Sequence, residues 1–414
     1  MYRCKILSDK EGAVAILVAI CAVVLLSFAA FVIDGGFGLV TRNELKNVAD
    51  GAALAGTRVL GDIYTKISPT AQQTYNFADH PDDRQRIIDV VQGVAGQNAA
   101  GGKLMTINEE DIRIGQWGKW DEAGIWDDSK PYSLKVTDST PDAVEVTARR
   151  DDTVATGPIS TFLARIMGVN SLNVTSTSQN TNSAPTTVMR PTAALTGLPK
   201  VDPGDIDIPV GISKSWFTGE FCNDYIKFYP TSGTGGCAGW TSFNLNSNAH
   251  NLRDVILEQM PPFGTYQAPG VEICSAPSDP DSSFEFMGGN VVTALQAFGD
   301  LYKANSVCSV GTPTPCADGT CKDTRCKDST CGGKCEWETL VPVYDAPCSD
   351  NPSGLICIVG FATVKITNVK VPPDTPDPGA QVIEGTVQCN LVEPDKRGGG
   401  GHYGTKGAIP GLVQ

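Results

Sequence analysis

Histidine, charge and catalytic signatures are all scarce in this chain. Only His80, His250 and His402 occur in 414 residues, far apart in sequence, and each reads as a surface or loop residue rather than a base. There is no Gly-x-Ser-x-Gly elbow, no His-Glu-x-x-His helix and no Cys-x-x-Cys-His haem attachment. The chain is therefore expected to be no enzyme, to use no cofactor and no metal, and no small-molecule substrate is identified. Charged residues make up 19%, and the formal charge is −14. Without a basic face to meet phosphates, nucleic acid is excluded as a partner. The acidic surplus serves to keep an exported domain soluble. Aromatics make up 7%; the clusters at Trp117, Trp120, Trp126 and at Trp216, Phe217, Phe221 read as core rather than as sugar-binding platforms.

Cysteine is missing from residues 22–221, apart from which the chain has Cys4 and Cys21 near its start and twelve more further on. Those twelve are Cys222, Cys237, Cys274, Cys308, Cys316, Cys321, Cys326, Cys331, Cys335, Cys348, Cys357 and Cys389. An even set confined to one half fits disulfides made in an oxidising compartment, and all twelve are disulfide candidates whose pairing the sequence leaves open. Cys316, Cys321, Cys326 and Cys331 recur every five residues, with Asp318, Asp323 and Asp328 in phase. A regular five-residue period is unlike the paired spacing of zinc ligands, so a disulfide-knotted loop is the expectation there.

What the chain does have is an uncharged run, Ala13 to Ile33, in which only Ser27 is polar. At about 1.5 Å per helical residue it covers the roughly 30 Å hydrocarbon core of a bilayer. Arg3, Lys5 and Lys10 precede it, which places the N-terminus in the cytoplasm and the bulk outside. A cleaved signal ending near Ala29 is the rival reading. Continuation of the apolar run through Phe31, Val32 and Ile33 favours an anchor.

Beyond the span, Leu45, Val48, Ala49, Ala52 and Ala53 recur at helical spacing. Ala49, Ala52, Ala53 and Gly56 are helix-packing candidates, available to the chain's own domain or to a partner helix, and Gly35, Gly36 and Gly38 are expected to kink the junction. A second helix is predicted from Pro81, with Ile87, Val91, Val94 and Ala95 inward. Strands are predicted at 112–117, 133–137, 143–148 and 171–177, with a short helix ending at Gly168. Residues 181–205 read as a linker. The second half has predicted helices at 252–260 and 290–305, and a β-rich end at 355–371 and 382–392. The glycine run 398–401 reads as a flexible or turn-rich terminus. With 44 glycines and 27 prolines, short strands and loops dominate. The expected fold is α+β: a transmembrane helix (13–33, behind a cytoplasmic tip 1–12) extended into a small α+β exported domain (34–180), then the linker and a β-rich, disulfide-stapled domain (206–414).

Residues 11–60, with Glu11-Gly12-Ala13 entering the apolar run, Asp34 leaving it, and Leu45, Asn47, Ala49-Asp50 and Ala52-Ala53-Leu54-Ala55-Gly56 beyond, resemble the N-terminal domain of TadG-like proteins of Flp/Tad (tight adherence) pilus systems. Residues 143–179 look like the strand–helix–strand end of the exported region in that family. The resemblance implies a bacterial inner-membrane, single-pass protein with its bulk in the periplasm. It would act in pilus assembly through contacts with pilus-machine proteins or minor pilins, with the lipid bilayer as its other partner. A processed pilin has a glutamate five residues after its cleavage-site glycine; here Gly12 is followed at that position by Leu17. An uncleaved assembly factor is thus favoured over a filament subunit, and a secreted or surface adhesin is the alternative.

Overall fold

The structure is a computed structural model describing residues 10–176, 178–179, 188–218, 221–228, 237–259, 264, 266–275, 279–287, 291–308, 335–348, 352–371 and 381–413. One helix, α1 (Lys10–Tyr64), runs unbroken from the apolar span into the first core. It passes through Gly35, Gly36 and Gly38 without interruption, so the expected kink does not break it. Its first part, between Val14 and Ile33, is apolar and largely exposed, and is long and apolar enough to cross a membrane. Ser27 Oγ donates to the Val23 carbonyl at 2.8 Å, which satisfies that hydroxyl within the helix.

The second part of α1 is a core helix. Leu45, Val48, Ala49, Ala52, Ala53, Leu60, Ile63 and Tyr64 are buried. They pack on α2 (Pro81–Gly96), which buries Ile87, Ile88, Val91 and Ala95 on one stripe. Pro81 opens α2 and Asp82 and Asp83 occupy its first turn, where proline costs no hydrogen bond and carboxylates meet the positive end of the helix. Small residues allow close approach: a Cβ on Gly56 would lie 2.7 Å from Val91 Cγ2.

Under α1 lies a five-stranded antiparallel sheet. Its strands are β1 (Ile112–Lys119), β2 (Tyr132–Val136), β3 (Ala143–Val146), β4 (Thr192–Ala194) and the C-terminal Gly411–Val413. The order is Gly411–Val413, β4, β3, β1, β2. Thr192 pairs with Glu145 on one side and with Val413 on the other. The region read as a linker therefore holds a sheet strand, and the end of the chain returns to complete the N-terminal sheet. Val392 and Ala408 belong to this first core as well.

A second core is built around a larger sheet: β5 (Val210–Ser213), β6 (Tyr225–Phe228), β7 (Ala238–Phe243), β8 (Ser283–Met287), β9 (Cys335–Tyr344), β10 (Gly354–Lys370) and β11 (Val382–Gln388). The order is β6-β11-β10-β8-β7-β5-β9 followed by the short strand Val307–Cys308, and β9 pairs again with β10, so β10, β8, β7, β5 and β9 close into a ring. The 17 residues of β10 make this possible, because its first part pairs with β8 and its later part with β9 and β11. Helix α3 (Val292–Asn305) buries Leu295, Phe298 and Tyr302 against this core. The predicted helix near 252–260 divides into an α-helical Ala249–Asp254 and a π-helical Val255–Gln259.

Polar contacts across long sequence distances tie residues 388–406 to the N-terminal part of the chain. Lys406 Nζ donates to Asp142 Oδ2 at 2.6 Å, with side chains 4% and 7% exposed. Gln73 donates to Gln388 Oε1 at 2.6 Å, and the Val392 amide donates to Gln72 Oε1 at 2.8 Å. The glycine run at 398–401 is packed: the amides of Gly399 and Gly400 donate to the Gly197 carbonyl, and a Cβ on Gly400 would lie 2.2 Å from the Leu198 carbonyl oxygen. Glycine is required there because two backbones touch.

Candidate functional site

Two features of α1 lie at and just beyond the point where it leaves the apolar run. The first is Asp34, the residue after Ile33. Its carboxylate is buried and accepts three backbone hydrogen bonds: Phe162 N at 2.7 Å, Leu163 N at 3.0 Å and Ala164 N at 2.5 Å. These amides open the 3-10 turn Ala164–Met167, which Gly168 closes in the left-handed conformation at φ +90°. Free amides at a helix start favour an anion. Burial raises the Asp34 pKa, but the three amides and Arg165 outweigh it and hold the carboxyl below its ordinary value. The residues 161–170 form the tip of a hairpin whose strands pair Ile159 with Leu172 and Ser160 with Ser171.

The second feature is an open groove of about 1300 Å³ beside α1. One wall is the helix face Leu39, Arg42, Asn43, Lys46 and Asp50; the other carries Trp117, Trp120 and Tyr132 from β1, β2 and their connection. Trp117 stacks on Tyr132 with ring centres 6.1 Å apart, and Lys135 Nζ sits 4.6 Å over the Trp120 ring. At the floor, the buried Glu145 accepts from Arg113 at 2.7 Å and from Arg190 at 3.2 Å. One carboxylate thus balances two guanidiniums. A rigid aromatic wall facing a charged helix wall is the composition of a protein-binding surface, in which aromatics and arginine carry most of the energy.

The helix-packing candidates are placed differently from this groove. Ala49, Ala52 and Ala53 are fully buried against the chain's own core, and Gly56 faces Val91, Ile87 and Val144. The face of α1 turned to the groove is polar at Arg42, Asn43, Lys46 and Asp50, with the apolar Leu39 at its start. The repeat of polar residues at helical spacing was the available signal for it.

Three disulfides close long loops: Cys222–Cys389, Cys237–Cys348 and Cys274–Cys357, with separations of 167, 111 and 83 residues. Cys335 is disulfide-bonded as well, and its backbone pairs with that of Cys308. Cys316, Cys321, Cys326 and Cys331 lie outside the described residues. Cys21 is a free thiol on the exposed span. Among the described residues no group of three or more His, Cys, Asp or Glu side chains is placed to hold a metal ion.

The histidines are more structural than their sequence context indicated. His80 stacks on Tyr75 at 5.0 Å, and His250 faces Asp254 at 3.1 Å. His402 lies in an aromatic nest joining the two cores, 5.5 Å from Trp126 and 5.5 Å from Phe221. Burial there, with Lys406 adding to it, lowers its pKa to about 3. Trp126, Phe217 and Phe221 are thereby accounted for as packing side chains, whereas Trp117 and Trp120 line the groove.

No curated protein and no solved structure matches this chain. Residues 12–62, which are the apolar run, Asp34 and the core half of α1, match the family model described as putative Flp pilus-assembly TadE/G-like.

Proposed function

We propose that this protein is a non-enzymatic, membrane-anchored component of Flp/Tad pilus assembly that binds other pilus-machine proteins or minor pilins through the groove beside α1. The N-terminus lies in the cytoplasm and the bulk in the periplasm of a bacterial inner membrane. Basic residues before the span and disulfides after it both support that orientation. The observation that carries the reading is the continuity of α1. The helix that crosses the membrane is also the central helix of the first core and one wall of the groove. A load on the exported part is thus transmitted to the anchor through helical backbone rather than through a flexible tether. The groove begins at Leu39, about 8 Å along the helix from Asp34 at 1.5 Å per residue, within reach of any partner standing on the same membrane.

The test is in cells that carry the pilus system. A photo-crosslinking residue at Asn43 or Lys46 should give a discrete adduct with a pilus-machine protein or minor pilin. Loss of the chain should remove surface pili while the intact chain is found in the membrane fraction, with its start uncut. Normal piliation without the chain, or recovery of the chain from the medium cut near Ala29, would refute this reading and favour an adhesin.

A further inference from the structure

The hairpin tip 161–170 reads TFLARIMGVN. Phe162, Ile166 and Val169 are exposed by 66%, 80% and 46%. Large apolar residues in this state on a short polar-backbone loop ordinarily have a cover. No carboxylate lies in this stretch; its one charge is Arg165, which sits 5.9 Å over the Phe162 ring. A chain of net charge −14 has thus kept anions out of this tip.

The location decides what the cover is. The tip is hydrogen-bonded to Asp34, and Asp34 follows the last residue of the apolar run. Residues 14–33 account for roughly 30 Å of helix, which is the hydrocarbon thickness. The headgroup layer adds about 5–8 Å on each side, or some four further helical residues. Asp34 and everything held to it therefore lie inside the headgroup layer. This placement also explains the three amides on Asp34: a carboxylate at that depth is costly unless its lone pairs are satisfied by the protein. Continuity with the span, and a cation beside apolar side chains, fit one occupant.

We propose that the tip 161–170 seats on the outer face of the bilayer that α1 crosses, with Phe162, Ile166 and Val169 at the acyl boundary and Arg165 among lipid phosphates. The tip is a second membrane contact. Together with the span it fixes the tilt and rotation of α1, and so the direction in which the groove opens. A single helix leaves rotation about its own axis free, whereas a second contact to one side removes that freedom. The inference rests on residues 13–33 crossing the membrane and not on the identity of any protein partner.

The full chain, with Cys4→Ser and Cys21→Ser, takes an environment-sensitive fluorophore at Ile166→Cys, an exposed position where the fold tolerates it. It is reconstituted in vesicles of phosphatidylethanolamine and phosphatidylglycerol, and intact mass verifies one label per chain. Glu122→Cys in the same background reports the exported surface, and the chain with its native Cys21 labelled reports the span. At 166, a nitroxide placed near the lipid headgroup should quench emission about twofold or more, as for side chains buried 5–10 Å into the interface. The label at 122 should be unaffected, and the label at Cys21 should be quenched by a nitroxide near the acyl-chain end. Quenching at Cys21 with a fully water-accessible label at 166 overturns the second contact alone. No quenching at Cys21 overturns the span, and the tip proposal with it.

Discussion

Replacing Lys406 by Met should destabilise the whole protein far more than its place near the C-terminus would indicate. Lys406 Nζ and Asp142 Oδ2 are 2.6 Å apart and almost fully enclosed. The other Asp142 oxygen accepts the Trp117 amide at 2.7 Å, and Lys406 has a weaker second contact with Asn390 at 3.4 Å. Without Lys406 the carboxylate keeps only one donor in a dry site, and a broken buried pair of this kind costs about 3–5 kcal/mol. The double variant Lys406→Met with Asp142→Asn removes the orphaned charge and keeps an acceptor for Trp117, so its loss should fall to about 1–2 kcal/mol, giving a coupling of at least about 2 kcal/mol. Burial already raises the Asp142 pKa, with Lys406 opposing it. A carboxyl raised in the folded state binds its proton more readily folded than unfolded, so its contribution to stability falls as pH rises through that raised value. Lys406→Met should therefore be closest to the wild type in acid and furthest from it above the raised pKa. The assay is urea unfolding of the detergent-solubilised, oxidised chain, followed by tryptophan fluorescence at several pH values. A loss under about 1 kcal/mol for Lys406→Met, or a double variant that costs the sum of the singles, would refute the enclosure of this pair.

Two glycines of α1 should respond in opposite directions to alanine. At Gly51 a Cβ meets nothing within 4 Å, so Gly51→Ala should stabilise by up to about 1 kcal/mol through helix propensity. At Gly61 the same atom would lie 2.3 Å from the Ala408 carbonyl oxygen, so Gly61→Ala should cost about 1–3 kcal/mol despite that gain; thermal midpoints of the two variants decide it. His402, held neutral by burial with its pKa lowered to about 3, makes folded stability drop as pH falls from about 6.5 toward 3, because the unfolded imidazole takes up a proton that the folded one refuses. His402→Asn should flatten that acid limb at a cost in stability at pH 7, and an unchanged slope would show that the ring is solvated.

The local pattern of the sequence foretold the elements that depend on neighbours along the chain. The span, the continuation of α1 and the helix from Pro81 follow from apolar periodicity, and Ile87, Val91 and Ala95 are indeed on its inner face. The strand at 112–119 and the long strand at 354–370 were legible from β-branched and alternating runs. At the candidate site the reading reached the right helix and left open whether its small residues face the chain's own domain or a partner. Small residues at 49–56 invite a partner, yet burial by α2 and the sheet occupies them. Composition alone does not say which apolar face the same chain will cover.

Sequence by itself determined the uncharged run of bilayer length and the placing of twelve of the fourteen cysteines beyond residue 221, which are chemical facts that need no fold. Only the tertiary structure decided which cysteines pair, among them Cys222 with Cys389 across 167 residues. It also decided that Gly411–Val413 completes the N-terminal sheet and that the amides of 162–164 close on Asp34. Each of these joins residues far apart in sequence. Such contacts form only when the rest of the chain has brought the partners together and buried them, because the entropy of closing long loops must be offset by cores that no local stretch contains.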